Sequence, residues 1–119
     1  MRVRILPIVL LSLCGCVDRE ATSIPLDQSN GVRDGYLARV TRAGQIEWNG
    51  QMIDDASFIR YVRQYAALAK GTGRLWLEVE PEAAAKRASF IREQIIASGL
   101  CAQQRCVEAA WGAKRPVVN

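Results

Sequence analysis

The residues with the most chemistry to offer in this chain are its four cysteines, its twelve carboxylates and its three tryptophans. Histidine is absent from all 119 residues, which excludes a Ser-His-Asp triad, a Cys-His dyad and any histidine-bearing zinc site. Two acidic groupings have the composition of a glycan-cleaving acid/base pair: Glu78, Glu80 and Glu82, and the adjacent Asp54 and Asp55. Simpler roles account for both. Glu80 and Glu82 flank Pro81 at what reads as a helix start, where the positive end of the helix dipole favours carboxylates, and Asp54 and Asp55 stand at another. Glu78 and Glu80 also share the more polar side of a strand. No catalytic residue, metal site or cofactor is expected from these groups. Of the tryptophans, each falls in a predicted strand, and Trp48 shares parity with Ile46, as a core residue would. Trp76 points with Glu78, opposite Leu75, Leu77 and Val79. It is either half-covered by a neighbouring strand or, with Glu78, part of a face that meets a partner.

The chain opens Met1-Arg-Val-Arg4, continues with an apolar run from Ile5 to Leu13, and closes that run with Leu13-Cys14-Gly15-Cys16. A positive start followed by a short apolar stretch is the order of a secretory signal. Nine apolar residues rise only about 14 Å as a helix against roughly 30 Å of hydrocarbon, too little for a permanent span. The closing tetrapeptide resembles the lipobox of bacterial lipoproteins, with small Gly15 directly before the acceptor Cys16. That resemblance implies a signal peptide over residues 1–15, acylation of Cys16 with fatty acids such as palmitate, and a lipid-anchored domain on the periplasmic side of the cell envelope. Val17, in place of an aspartate after the cysteine, points to the outer membrane by the sorting pattern of enteric bacteria.

Removal of the signal takes Arg2 and Arg4 with it, so sixteen basic residues become fourteen against twelve acidic ones, a net charge of about +2. That balance gives no concentrated positive face, and no nucleic-acid partner is expected. Cys101 and Cys106 are then the cysteines left in the folded part, and in an oxidising compartment they are expected to form a disulfide. Their spacing is not Cys-x-x-Cys and no histidine or helix start adjoins them, which argues against a redox-active pair. So short a loop contributes only about 2 kcal/mol by chain entropy, leaving the bridge the task of pinning a helix end to a strand.

The elements that must hold these residues are read from periodicity. Residues 16–35, beginning with the lipidated cysteine, are polar and turn-rich and read as a flexible tether. The domain then runs over residues 36–112, with a basic, frayed tail at 113–119. Tyr36 to Thr41 and Gln45 to Trp48 alternate apolar with polar around a glycine-bearing connection, and Asn49-Gly50 suits a type I′ turn before Gln51-Met52-Ile53. Asp54 can cap a helix with Phe58, Val62, Tyr65, Ala66 and Ala69 on its inner stripe. Arg74 to Glu80 is a strand; Pro81 opens a second helix lined by Ala84, Ala88, Ile91 and Ile95; Gly99 ends it; and Arg105 to Trp111 is the last strand. The arginines and lysine of the two helices, Arg60, Arg63, Lys86, Arg87 and Arg92, read as solvated faces. The predicted fold is α+β, a two-layer β-β-α-β-α-β domain with two helices on one face of a small mixed sheet.

The run Gly44-Gln-Ile-Glu-Trp-Asn-Gly50, the helix from Asp54 to Lys70, the strand Leu75-Trp-Leu-Glu-Val-Glu80 and the close Ser98-Gly99-Leu100 together resemble the periplasmic domain of the ExbD/TolR family of biopolymer-transport proteins. The likeness covers roughly residues 40–111. It implies a small dimerising module that meets envelope proteins or, as in TolR, peptidoglycan. In that family an N-terminal transmembrane helix carries an aspartate used in proton translocation, whereas Ile5 to Leu13 holds no acid; proton coupling is therefore not implied. The expected function is that of a non-enzymatic envelope lipoprotein, an interaction module contacting a protein partner or peptidoglycan, with an inhibitor or assembly factor for an envelope complex as the alternative and a cell-wall hydrolase behind both. Metabolic labelling with a fatty-acid analogue should mark the wild-type protein and not Cys16→Ser; equal labelling of the two would remove the anchor from this reading.

Overall fold

A computed structural model describes residues 23–27, 33–69, 71–113 and 117–118. The expected signal over residues 1–15, with Cys14, and the expected acylation site Cys16 lie outside the described residues. The domain is α+β, with two helices against a mixed sheet. In chain order the elements are β1 (Arg33–Val40), β2 (Ile46–Trp48), β3 (Gln51–Ile53), α1 (Asp55–Ala66), β4 (Arg74–Val79), α2 (Ala85–Ala97), β5 (Cys106–Ala109) and β6 (Val117–Val118). The sheet runs β3-β2-β1-β4-β5, and β6 pairs with β1. β1 is antiparallel to β2 and parallel to β4, and β4 is parallel to β5.

Local chemistry sets the first half. Gly44 at φ 81° closes the β1–β2 connection, and Asn49 and Gly50, at φ 49° and 84°, make the turn into β3. The Asn49 side chain accepts from the Leu37 amide at 2.8 Å, lengthening the hairpin by one bond. Asp54 caps α1 by accepting from the Ser57 amide at 2.7 Å. That hydrogen bond holds the Asp54 carboxyl below its ordinary value. The cap's contribution is therefore fully present above the usual carboxylate range and is lost as pH falls below that range through the lowered folded value.

The helices cover the face formed by Ala38 and Val40 of β1, Ile46 of β2, and Leu75 and Leu77 of β4. Phe58, Val62, Tyr65 and Ala66 of α1 and Ile91 and Ile95 of α2 pack onto it, joined by Leu100, which follows Gly99 at φ 93°. Both cysteines of the Cys101–Cys106 disulfide lie in this core, with Cα atoms 4.8 Å apart.

Four sequence expectations are corrected. The second helix begins at Ala85, not at Pro81, and Ala84 is exposed. Here the strand pairing persists too long: the Glu80 amide still donates to Val40 at 2.8 Å, Ala83 turns back onto the Glu80 carbonyl at 3.1 Å, and Glu82 takes φ 73°, which no right-handed helix admits. β5 stops at Ala109, so Trp111 sits in a turn. β1 begins at Arg33, inside the expected tether, and Ile24 to Asp27 are docked: Asp27 donates to the Glu108 carbonyl and Glu108 to the Pro25 carbonyl, each at 2.8 Å. Finally, Val117 and Val118 pair with Arg33 and Asp34, where a frayed tail was expected. In the last two cases the backbone finds partners through distant strands, which local composition does not register.

Where β1 passes the loop before β4 the backbones nearly touch. A methyl group on Gly35, at φ 93°, would lie 2.0 Å from the Arg74 carbonyl oxygen, and one on Gly73 would lie 2.9 Å from Gly35 Cα. Gly35→Ala should therefore cost about 3 kcal/mol in urea unfolding, while Gly50→Ala, where nothing lies within 4 Å, should cost only the about 1 kcal/mol of its positive φ.

Candidate functional site

The two residues expected to form a partner face, Trp76 and Glu78, are 0% and 2% exposed. They are brought together, but beneath a cover. Trp76 packs with Leu37, Val107, Ala109 and Ala113, and its indole N–H donates to the Asp34 carbonyl at 2.7 Å while the Arg74 guanidinium lies 4.8 Å from its ring centre. Glu78 meets Arg33 at 2.6 Å and Arg39 at 3.4 Å, and accepts from the Gly112 amide at 3.0 Å. Arg39 also stacks on Trp111, 3.9 Å from the ring centre. The expectation of a wet outer face is thus corrected: the turn after β5 folds under the sheet, and Arg33, read as tether, neutralises Glu78 from 45 positions away.

The other carboxylates singled out by sequence are engaged in holding elements together. Glu80 Oε1 accepts from the Arg42 amide at 2.8 Å, and Glu82 lies 3.4 Å from Arg42. Asp55 forms a bidentate pair with Arg87, which ties α1 to α2 and holds the Asp55 carboxyl below its ordinary value. Arg92 grips Glu108 through two contacts of 2.8 Å. Arg87 and Arg92 are therefore interhelix and helix–strand clamps, not merely solvated side chains. Among the described residues no group of three or more His, Cys, Asp and Glu is placed to hold a metal ion, and no helix is long and apolar enough to cross a membrane.

The concave feature with the strongest chemical character lies on the helix side, near the N-terminal part of β1. It is a groove of about 280 Å³ lined by Tyr36, Trp48, Tyr61, Gln64, Tyr65 and Leu68. Strand parity carries Tyr36 and Trp48 to the α1 side, and Tyr61, Gln64, Tyr65 and Leu68 follow at i, i+3, i+4 and i+7 along α1 and its continuation. The rings are ordered by one another. Tyr36 stacks on Tyr65 with centres 4.8 Å apart and planes 11° apart, and Trp48 meets Tyr36 edge-on at 5.6 Å.

Tyr65 is the anchor of this wall. Its hydroxyl lies 3.0 Å from the Thr72 carbonyl and 3.3 Å from that of Arg74, donating to the loop before β4. Burial pushes the phenol above its ordinary value, against the pull of Arg105, whose guanidinium lies 4.8 Å from the ring centre. Tyr65 thus stays protonated and able to donate at neutral pH. In contrast, Tyr36 is 36% exposed and Leu68 49% exposed. The groove is uncharged, aromatic on two sides and open, the character of a site that takes an apolar or planar group.

Periodicity places Trp48 and Tyr65 in the core and does not single out Tyr36, Tyr61 or Leu68. The signal was present in the second apolar stripe at 61, 65 and 68, one step around α1 from the stripe at 58, 62 and 66. Comparison of the chain with known protein families, with curated proteins and with solved structures finds no match.

The buried outer face predicts a stability phenotype. Trp76→Ala should cost about 3–5 kcal/mol, and Glu78→Ala a similar about 3–5 kcal/mol by leaving Arg33 buried without its carboxylate. Replacing Arg33 and Glu78 together by Met and Leu should cost less than Glu78→Ala alone, as read from denaturant midpoints.

Proposed function

We propose that this protein is a non-enzymatic lipoprotein of the cell envelope, anchored through Cys16, whose domain is an interaction module that grips a protein partner in the Tyr36–Trp48–Tyr65 groove. The anchor rests on the lipobox-like Leu13-Cys14-Gly15-Cys16. The observation that carries the binding role is the groove itself: a half-exposed tyrosine and leucine kept beside a stacked aromatic wall, with no charged side chain in its lining. Exposed apolar surface of this kind is costly in water and is regained when a partner covers it.

A protein side chain suits the groove better than the wall polymer does. Leu68 supplies an aliphatic contact at the rim and Gln64 the one amide among the lining residues, whereas a charged wall peptide would require opposite charges there. The engagement of Glu78, Glu80, Asp54 and Asp55 in ion pairs, caps and loop bonds supports a binding role over a hydrolytic one. The ExbD/TolR-like segments favour the same kind of role, and no proton-translocating residue enters it.

A photoreactive residue at position 68, incorporated in intact cells, should yield one discrete protein adduct on the periplasmic side of the envelope. Tyr36→Ala should abolish that adduct, whereas Tyr36→Phe, which keeps the stacked ring, should retain it, both variants keeping a cooperative melting transition. Sedimentation of the purified protein with isolated peptidoglycan, lost in Tyr36→Ala and unaccompanied by any adduct, would replace the protein partner with the wall.

A further inference from the structure

We infer that the outer edge of β5 is a binding site for an extended peptide segment of a partner protein, and that the chain's own residues Ser23–Asp27 are its exchangeable resident. This site is separate from the aromatic groove and does not rest on it.

The resident shows what the edge recognises. Glu108 is the point of attachment: its N–H donates to the Pro25 carbonyl and its C=O accepts from the Asp27 amide, both at 2.8 Å, in parallel pairing through Leu26. These are backbone groups, so they select extended conformation and not side-chain identity. Proline is tolerated at position 25 because only its carbonyl is used. The side chain of Ile24 reaches the main core, giving one aliphatic anchor. A competent ligand is therefore an extended segment with an aliphatic residue and, three positions later, a residue that is not proline.

The resident fills this site poorly. Leu26 is 70% exposed, and a groove of about 400 Å³ stays open between the segment and α2, lined by residues that include Ile24, Leu26, Arg92, Ile96 and Glu108. The floor is rigid, because the Arg92–Glu108 clamp joins α2 to β5 there. Because the segment leaves Leu26 exposed and Ile96 lining an open groove, a strand that also covers these two side chains has room to displace it. Such an exchange blunts the sheet edge when the partner is absent and opens it when the partner arrives. If Cys16 carries lipid, release also frees the segment nearest the membrane and lengthens the reach of the domain, so capture and reach are linked.

The test uses the full-length chain in detergent with two variants, Ile24→Asp, which removes the anchor, and Asp27→Pro, which removes the N–H donor. Hydrogen exchange at the Glu108 amide should be at least tenfold faster in both, with the Leu77 amide unchanged as the control for an intact sheet. A fluorescent peptide spanning residues 21–29 should bind each variant at least tenfold more tightly than the wild type, whose site is already occupied, and should restore slow exchange at Glu108. A peptide carrying Ile24→Asp should bind none of them. Wild-type exchange at Glu108 in both variants, or equal peptide affinity for wild type and variants, would overturn the assignment; neither result depends on whether Cys16 is acylated.

Discussion

The parallel pairing of β1 with β4 at the centre of the sheet is the constraint on which the rest of this domain depends. Their register runs from Gly35 opposite Arg74 to Val40 opposite Val79. A central parallel pair has no solvent edge and is ordinarily covered on both faces. On one side α1 and α2 supply the cover. On the other no helix is present among the described residues, and the task falls to Trp76, Leu37, Val107, Ala109, Ala113 and the ion pairs around Glu78. The close contact of Gly35 with the Arg74 carbonyl is the local expression of the same constraint, since the two backbones meet this tightly only because Gly35 and Gly73 carry no Cβ.

The proposed function rests on what this arrangement leaves open. With both faces of the central strands closed, the two proposed contact surfaces lie at the periphery: the seam between β1, β2 and the end of α1, and the outer edge of β5. The first is shaped by aromatic stacking around Tyr65, whose hydroxyl ties the wall to the loop before β4. The second is shaped by backbone groups of Glu108, held in place by Arg92. One suits an inserted apolar side chain and the other an extended main chain. The two sites use different chemistry and are served by different elements.

Sequence patterning was most informative where an element's fate is local. The Asn49-Gly50 turn, the Asp54 cap, the inner stripes at Phe58 and Val62 and at Ile91 and Ile95, and the Gly99 stop all depend on residues within a turn or two, and all are present. The second helix start misled because Pro81 and its flanking glutamates satisfy a local rule, while the Glu80 amide is held by Val40 forty residues earlier. The aromatic groove was half legible: Trp48 and Tyr65 stood out as inward residues, but the exposure of Tyr36 and Leu68 is set by where α1 ends over the sheet.

The α+β class, the helical and strand periodicities, the pairing of Cys101 with Cys106 and the absence of any histidine chemistry are all legible in the residues alone. The pairing follows from the expected oxidising compartment and the setting aside of Cys14 and Cys16, the others from residue type and near spacing. The closure of the Trp76–Glu78 face, the docking of residues 24–27 on β5 and the return of Val117–Val118 to β1 emerge with the folded domain. Strand alternation specifies which residues share a side, but not what lies against that side. The partners of Glu78 and Glu108 come from Arg33, Gly112, Pro25 and Asp27, and contacts at such separations are selected by the shape and charge of the folded whole.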